Sequence, residues 1–456
     1  MPEYYPQKPE LLAPAGNYEK LEIAIHYGAD AVYLGGKDFS LRNFSGNFTD
    51  RELESAVSYA HKHNVKVYVT CNIFSRNPEQ KGLALFLEQI GNINADAVII
   101  TDPGIIRMAK QIIPHIAIHL STQANTTNFN AVRFWQEAGV KRINLARELS
   151  LDDIRDITLK STQPSPSSEN PPSNLLSNLQ SNPSSSSTVE IETFIHGAMC
   201  ISYSGRCLLS SFLTGRDSNR GLCSHPCRWK YAVVEEQRPG EYQQIMEDKR
   251  GAYIFNSKDL CMIDHIPELC GAGISSMKIE GRMKGISYLA SVVKTYREAI
   301  DSYVASPESY TVKDVWHKEL ALIYHRTYCT GFYFNAPDQT LPNYSNIHQG
   351  NIHSFIGKTI KQLPDNHIVV AIKNRASVGD MVELLPPKGD ALRSKILAIY
   401  DTNNSPIPHA QPNSNSVLKL DCPDQIIQCP SLKTLDCSNK LLTLPLAPLN
   451  IVRKIS

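Results

Sequence analysis

Four cysteines, Cys200, Cys207, Cys223 and Cys227, fall within one short stretch in the spacing C-x6-C-x15-C-x3-C. Four thiolates gathered by one segment can hold an iron–sulfur cluster or a zinc ion. Zinc knuckles pair two close cysteines with a second such pair. Only Cys223 and Cys227 are close here, so zinc is poorly served. A C-x3-C-x2-C triad of the radical type is incomplete, because Lys230 stands at its third position. A cuboidal cluster with four cysteine ligands fits the spacing best. The bland alternative is four ordinary buried thiols, and the clustering of four out of 11 cysteines in a polar, glycine-containing segment argues against it.

Arg206, Arg216, Arg220, Arg228 and Lys230 lie in the same segment, with Tyr203, Phe212, Trp229 and Tyr231 among them. Basic residues interleaved with aromatics can grip phosphates and stack bases. A solvated charge set over core aromatics has the same composition, and composition alone favours that second reading. The net charge is +1, so no global field draws in nucleic acid and any such binding must come from a local patch. The N-terminal residues lack a basic region followed by an apolar one, and no run of about 18 apolar residues occurs. The expectation is a cytoplasmic protein with no membrane contact. In a reducing compartment the cysteines are expected as free thiols or ligands.

The elements that must position this segment are legible as short apolar runs. Eight recur: Leu11–Ala15, Ala31–Gly35, Val65–Thr70, Ala97–Thr101, Ile116–Leu120, Ile143–Ala146, Ile191–Ile195 and Ser276–Ile279. Rich in Val, Ile and Leu, they suit strands buried on both faces of a parallel sheet. Helical periodicity fills Tyr18–Tyr27, Asp50–His63, Leu83–Ile93, Gly104–Ile113 and Phe129–Glu137. Eight strands with helices between them predict an α/β fold, a (β/α)8 TIM-like barrel over residues 1–335. An open doubly wound sheet is the runner-up, but no glycine-rich dinucleotide fingerprint follows the first strand.

Two insertions interrupt the barrel. Residues 160–188 are Ser, Pro and Asn in low complexity, too poor in apolar groups to offset their ordering entropy. Residues 200–270 carry the cysteines and two expected strands, Lys230–Glu235 and Ala252–Asn256. After the eighth strand, Tyr288–Val304 reads as an amphipathic helix. Residues 340–456 change texture to short β-rich runs punctuated by Pro, Asn and Gly, which predict a small all-β C-terminal domain.

Chemistry in such a barrel collects at the C-terminal ends of the strands. The residues there include Gly35, Gly36, Asn72, Asp102, Ser121, Gln123, Arg147, Glu148, His196, Glu280 and Arg282. Asp102 precedes Pro103 and reads as a helix cap, and Ser121 also reads as structural. Arg147, Lys278 and Arg282 read as functional, because a cation there points into the mouth, where an anionic substrate would offset its desolvation. Glu148 and Glu280 are candidates to orient those cations or to serve as acid or base.

The strings ELLAPAGNYEK, YGADAVYLGG, FSLRNFSGNF, LSTQANTTN, LARELSL, FIHGAMCISYSGRCLLS, NRGLCSHPCRW, NSKDL and KIEGRMK together closely resemble the U32 "collagenase-like peptidase" family. The likeness covers nearly the whole chain. Length and β-rich tail look like the branch of prephenate-dependent hydroxylases that convert wobble uridine 34 of tRNA to 5-hydroxyuridine. Sister branches hydroxylate a cytidine in 23S ribosomal RNA or ubiquinone precursors. The resemblance implies a 4Fe-4S cluster on Cys200, Cys207, Cys223 and Cys227, with Cys261 as a fifth candidate. It implies prephenate as co-substrate, the tRNA anticodon stem-loop as partner, and no known electron donor. Substrate contacts are then expected from Arg42, Gln123, Arg206 and Arg228. A peptidase is the rival reading. Neither an HExxH helix nor a GxSxG elbow is present, and a cysteine nucleophile beside His225 would require the thiols to be free of iron.

Overall fold

The fold was read from a computed structural model, which describes residues 8–41, 47–162, 188–200, 202–228, 232–234, 242–244, 258–334, 353–421 and 448–455. Eight parallel strands form the first domain: β1 (Glu10–Pro14), β2 (Ala31–Gly35), β3 (Lys66–Cys71), β4 (Ala97–Ile100), β5 (Ala117–Leu120), β6 (Arg142–Asn144), β7 (Glu190–Ala198) and β8 (Ser276–Ile279). Each pairs with the next, and β8 pairs with both β7 and β1, so the sheet closes on itself. All eight expected strands are present within a few residues of their expected bounds. The helices α1 (Tyr18–His26), α2 (Asp50–Lys62), α3 (Gln80–Asn92), α4 (Pro103–Ile112), α5 (Phe129–Glu137) and α6 (Leu151–Thr162) fill the connections up to β7. Local caps set their starts. Asp102 accepts from the amides of Gly104 and Ile105 at the head of α4, as its sequence position predicts.

The barrel interior is divided. The inward residues of β1 to β5 are chiefly apolar: Leu12, Ala31, Tyr33, Tyr68, Ala97, Ile99 and Ala117 form one cluster. The inward residues of β6 to β8 are polar. Arg142 at the start of β6 bonds Glu10 of β1 at 2.5 Å and Glu190 of β7 at 2.5 Å, and lies 3.6 Å from Glu192. Glu192 in turn holds Lys278 of β8 at 2.7 Å and accepts from Ser276 at 3.1 Å. Burial pushes the Glu10 carboxyl up, but Arg142 and Tyr68 bring it below its ordinary value. Burial and the neighbouring cations hold His119 of β5 neutral. This ladder of alternating charges climbs from the floor of the barrel towards its mouth.

The cysteine insertion departs from expectation in detail. Lys230–Glu235 contains a strand at Ala232–Val234, but its partner is Tyr242–Gln244. The strand expected at Ala252–Asn256 lies outside the described residues. Asp259–Cys261 runs antiparallel to the end of β7, an element not expected. Residues 160–162 complete α6, and the rest of the low-complexity stretch up to residue 187 lies outside the described residues.

Helix α7 (Ile286–Ala305) follows β8 and is buried along most of its length, because it packs on β1 and is flanked by α1 and by the helices Ile266–Gly271 and Asp314–Leu322. A second barrel follows. The second consists of β9 (His353–Leu363), β10 (His367–Ile372), β11 (Met381–Leu385), β12 (Leu392–Tyr400), β13 (Asn415–Leu420) and β14 (Ile451–Ile455). Antiparallel pairing runs β11-β14-β9-β10-β13-β12 and returns to β11, closing a small barrel. Its own core holds Ile356, Val370, Val382, Ile396 and Leu418.

Candidate functional site

A cavity opens at the C-terminal mouth of the (β/α)8 barrel. Its floor is made inside the barrel by Tyr33 and Ile99 on the apolar side and by Asn144, Phe194 and Lys278 on the polar side. Its walls are strand-end residues: Asn72, Ser121, Gln123, Arg147, Glu280 and Arg282. Its roof is the insertion after β7, which contributes Cys200, Cys207, Cys223 and Cys227, with Ser204, Gly205 and His225 between them.

The roof is fastened to the barrel at three places. Ser204 adopts a left-handed backbone with φ +43°, a conformation that L side chains rarely take. Glu148 holds it there, accepting from the Ser204 amide at 2.6 Å and hydroxyl at 2.5 Å. Arg220 reaches Glu79 at 3.0 Å and the Phe74 carbonyl at 3.2 Å. Arg206 donates to the Gln123 carbonyl at 2.8 Å and lies over the Phe74 ring. Within the roof, Asn219 accepts from the Cys207 amide at 3.1 Å, and Ser218 donates to the Cys207 carbonyl at 2.5 Å. Ser224 bonds Ser210 and Thr214 at 2.9 and 2.8 Å, pinning the turn beside Cys223 to the helix Leu209–Thr214.

All four cysteines line the one cavity, and none of them is in a disulfide. The Cys223 sulfur accepts the His225 amide at 3.4 Å. Among the described residues no three His, Cys, Asp or Glu side chains converge tightly enough to hold a single metal ion. A lone zinc would need that convergence. A polynuclear cluster takes one thiolate per iron, so its ligands stand apart by the width of the cluster, and four thiols spread around one cavity suit that demand. Cys261 does not line the cavity. Its thiol lies 3.8 Å from the Tyr296 hydroxyl, and burial pushes it up to about 11.

The expected polar residues divide by role. Arg147 lines the cavity, lies 5.3 Å from the centroid of Phe194, and has no ion pair among the described residues. The Lys278 ammonium sits 4.7 Å from the Tyr33 centroid and is balanced by Glu192. Arg282 is 3 % exposed and wraps back on Ser40 and Thr70 at 2.8 and 3.0 Å and on the Leu41 carbonyl. It holds the loop after β2 as well as facing the mouth. Glu280 lines the cavity, whereas Glu148 does not; its carboxylate is engaged with Ser204. Ser121, expected to be structural, lines the cavity and donates to Gln123 at 2.7 Å. Arg206 lies outside the cavity, in a groove with Phe74, Arg76 and Arg220. Arg42 and the side chain of Arg228 lie outside the described residues.

The sequence reading missed Asn144, Phe194, Glu192 and Arg142. A signal was present. The segments RIN, EIETF and SMKI place a polar or aromatic residue at every second position, which is the inward face of a barrel strand.

The chain matches two family models: peptidase family U32 over residues 16–343, and the peptidase family U32 C-terminal domain over residues 351–431. It is 38% identical over 406 residues to tRNA hydroxylation protein P1 of Bacillus subtilis (strain 168), covering 89% of this chain and 90% of that one. It is 36% identical over 426 residues to tRNA hydroxylation protein P of Escherichia coli (strain K12), covering 84% and 87%. It is also 29% identical over 392 residues to the 23S rRNA 5-hydroxycytidine C2501 synthase of Escherichia coli (strain K12), covering 82% of this chain and 52% of that one.

Proposed function

This chain belongs to peptidase family U32, and from that premise we propose that it hydroxylates tRNA at C5 of wobble uridine 34. Prephenate is the co-substrate and Cys200, Cys207, Cys223 and Cys227 hold an iron–sulfur cluster. The observation that carries the reading is one cavity lined by four cysteines together with Arg147 and Lys278. It occurs in a chain whose relatives bear names for tRNA hydroxylation.

The residues divide the work by position. Arg147, without an ion pair among the described residues, offers its guanidinium to a carboxylate or phosphate, with fork geometry suited to either. Lys278, neutralised as a pair by Glu192, offers directed N–H donors without a large net charge. Phe194 and Tyr33 give a flat apolar surface for a ring. The roof covers this floor, and shielding a site from solvent strengthens the polar contacts inside it. Replacing C5–H by C5–OH with oxygen from water releases two protons and two electrons, which must pass to an external acceptor; a cluster held by the four cysteines would carry those electrons one at a time.

The test is nucleoside mass spectrometry of tRNA from a strain lacking the gene, complemented by wild type or by Cys207→Ala. Loss of 5-hydroxyuridine, restored by wild type and not by the variant, is expected. Unchanged 5-hydroxyuridine in the deletion strain would sink the reading. A colourless, iron-free protein that cleaves gelatin after anaerobic purification would move it to the peptidase.

A further inference from the structure

The floor of the cavity holds an amide for which the structure supplies no partner. Asn144, the last residue of β6, is 2 % exposed and lines the cavity. Its Oδ1 is buried without a hydrogen bond. A buried oxygen left in that state is destabilising, and a ligand donor would offset the loss. Past the end of the neighbouring strand β5, Gln123 lines the same cavity. Its Oε1 accepts from Ser121, Asn72 and Thr101 at 2.7, 3.3 and 3.4 Å. Three donors on the oxygen fix which end of the amide is left over, so Gln123 presents its NH2 group as a donor. The two side chains together offer donor, acceptor, donor.

We propose that Asn144 and Gln123 read the Watson–Crick edge of the base to be modified. The inference rests on the tRNA reading above and assigns the recognition that it left open. The O4, N3–H and O2 groups of uracil present acceptor, donor, acceptor, the complement of the amide pair. Asn144 Oδ1 takes N3–H, its NH2 takes one carbonyl, and Gln123 takes the other. Cytosine would meet like with like at two of the three positions, its N3 against the Asn144 oxygen and its amino group against an NH2. A site built to pair with polar groups rejects an analogue that leaves them unpaired.

The seating also orients the reacting carbon. In the pyrimidine ring the C2–N3 side lies opposite the C5–C6 bond. A base resting edge-down on β6 therefore turns C5 up towards the roof, where Cys200 and Cys207 lie. An anticodon base is single-stranded, so extruding it costs little more than unstacking.

The test is a four-way cycle with the full-length chain. Anticodon stem-loop hairpins carry uridine or 3-methyluridine at position 34, and the protein is wild type or Asn144→Ala. Affinity is read by fluorescence anisotropy and turnover by nucleoside mass spectrometry. Methylation at N3 removes the donor that Asn144 would accept. Wild type should lose about tenfold or more on the methylated hairpin. The variant should lose at least that factor on uridine, because alanine removes both amide contacts, and should lose no more on 3-methyluridine, because the N3 contact is already gone. Losses that multiply would overturn the proposal. So would a rise in prephenate KM at an unchanged ratio between hairpins, which would give Asn144 to the co-substrate. Asn144→Leu, which keeps the branch at Cγ without its polar atoms, repeats the cycle if the alanine variant fails to fold. A wild-type protein that modifies no uridine defeats the tRNA reading itself. One that modifies uridine and 3-methyluridine equally defeats only this inference.

Discussion

At the scale of single residues, the cavity separates the five candidate cysteines. Cys200, Cys207, Cys223 and Cys227 line one cavity, whereas Cys261 stands off it beside Tyr296. Spacing could not choose between Cys227 and Cys261, because the choice depends on which way the strand Asp259–Cys261 faces after it pairs with β7. Anaerobically purified Cys227→Ser should therefore lose most of its iron and sulfide, while Cys261→Ser should retain wild-type amounts. Equal loss in both would refute the assignment. Glu148 shows the opposite case. A carboxylate at a strand end looks like an acid or base, but its oxygens are committed to Ser204. No one-dimensional pattern marks a partner 56 residues away.

At the scale of elements, the eight strands and six of their helices were legible because hydrophobic periodicity is local. The polar half of the barrel interior was not, since each inward charge there is tolerated only through a partner on another strand. Arg142 is such a case, held by Glu10 and Glu190. The roof depends on two element ends. Glu148→Ala should release the Ser204 turn and lower iron retention several-fold, while the melting temperature of the barrel shifts by only a few degrees. Metal analysis beside a circular dichroism melt separates the two effects, and a large shift would make Glu148 part of the fold rather than of the roof. At the end of β7, Gly197 has φ +110°, and a Cβ there would come within 2.4 Å of the Glu280 carbonyl oxygen. Gly197→Ala should cost about 1–3 kcal/mol through backbone strain alone, with more from the displaced strand end. Chemical denaturation measures it, and a neutral result would contradict the close approach.

At the scale of the molecule, the two barrels behave as one body. Leu385 of β11 and Ile451 of β14 belong to the core of the first barrel. Tyr27, the C-cap of α1, donates to the Leu385 carbonyl at 2.7 Å and accepts the Ile451 amide at 3.0 Å. The texture change after residue 340 revealed a second domain, but not that its last strand would seal both barrels. At the centre of the seam Arg453 is 3 % exposed. It holds Glu319, in the helix Asp314–Leu322, through two bonds of 2.7 and 2.8 Å, and Glu383 of β11 at 2.9 Å. Burial pushes the Glu319 carboxyl up, but the Arg453 hydrogen bonds and charge outweigh it, so the group sits below its ordinary 4.5. Its contribution is therefore full above that ordinary value and is lost as pH falls through the lowered one. Glu319→Gln should cost about 3–5 kcal/mol at pH 7, because it leaves a buried guanidinium short of charge. Glu383 also pairs with Arg393 at 2.8 Å, so it cannot supply the whole deficit. Calorimetry should show the single transition of the wild type split into two in the variant. The gap between wild type and variant should narrow as the pH is lowered past the carboxylate range, since a protonated Glu319 differs little from glutamine. A pH-independent gap would mean that shape rather than charge holds the seam, and an apolar Glu319→Met, Arg453→Met pair would then be as stable as wild type.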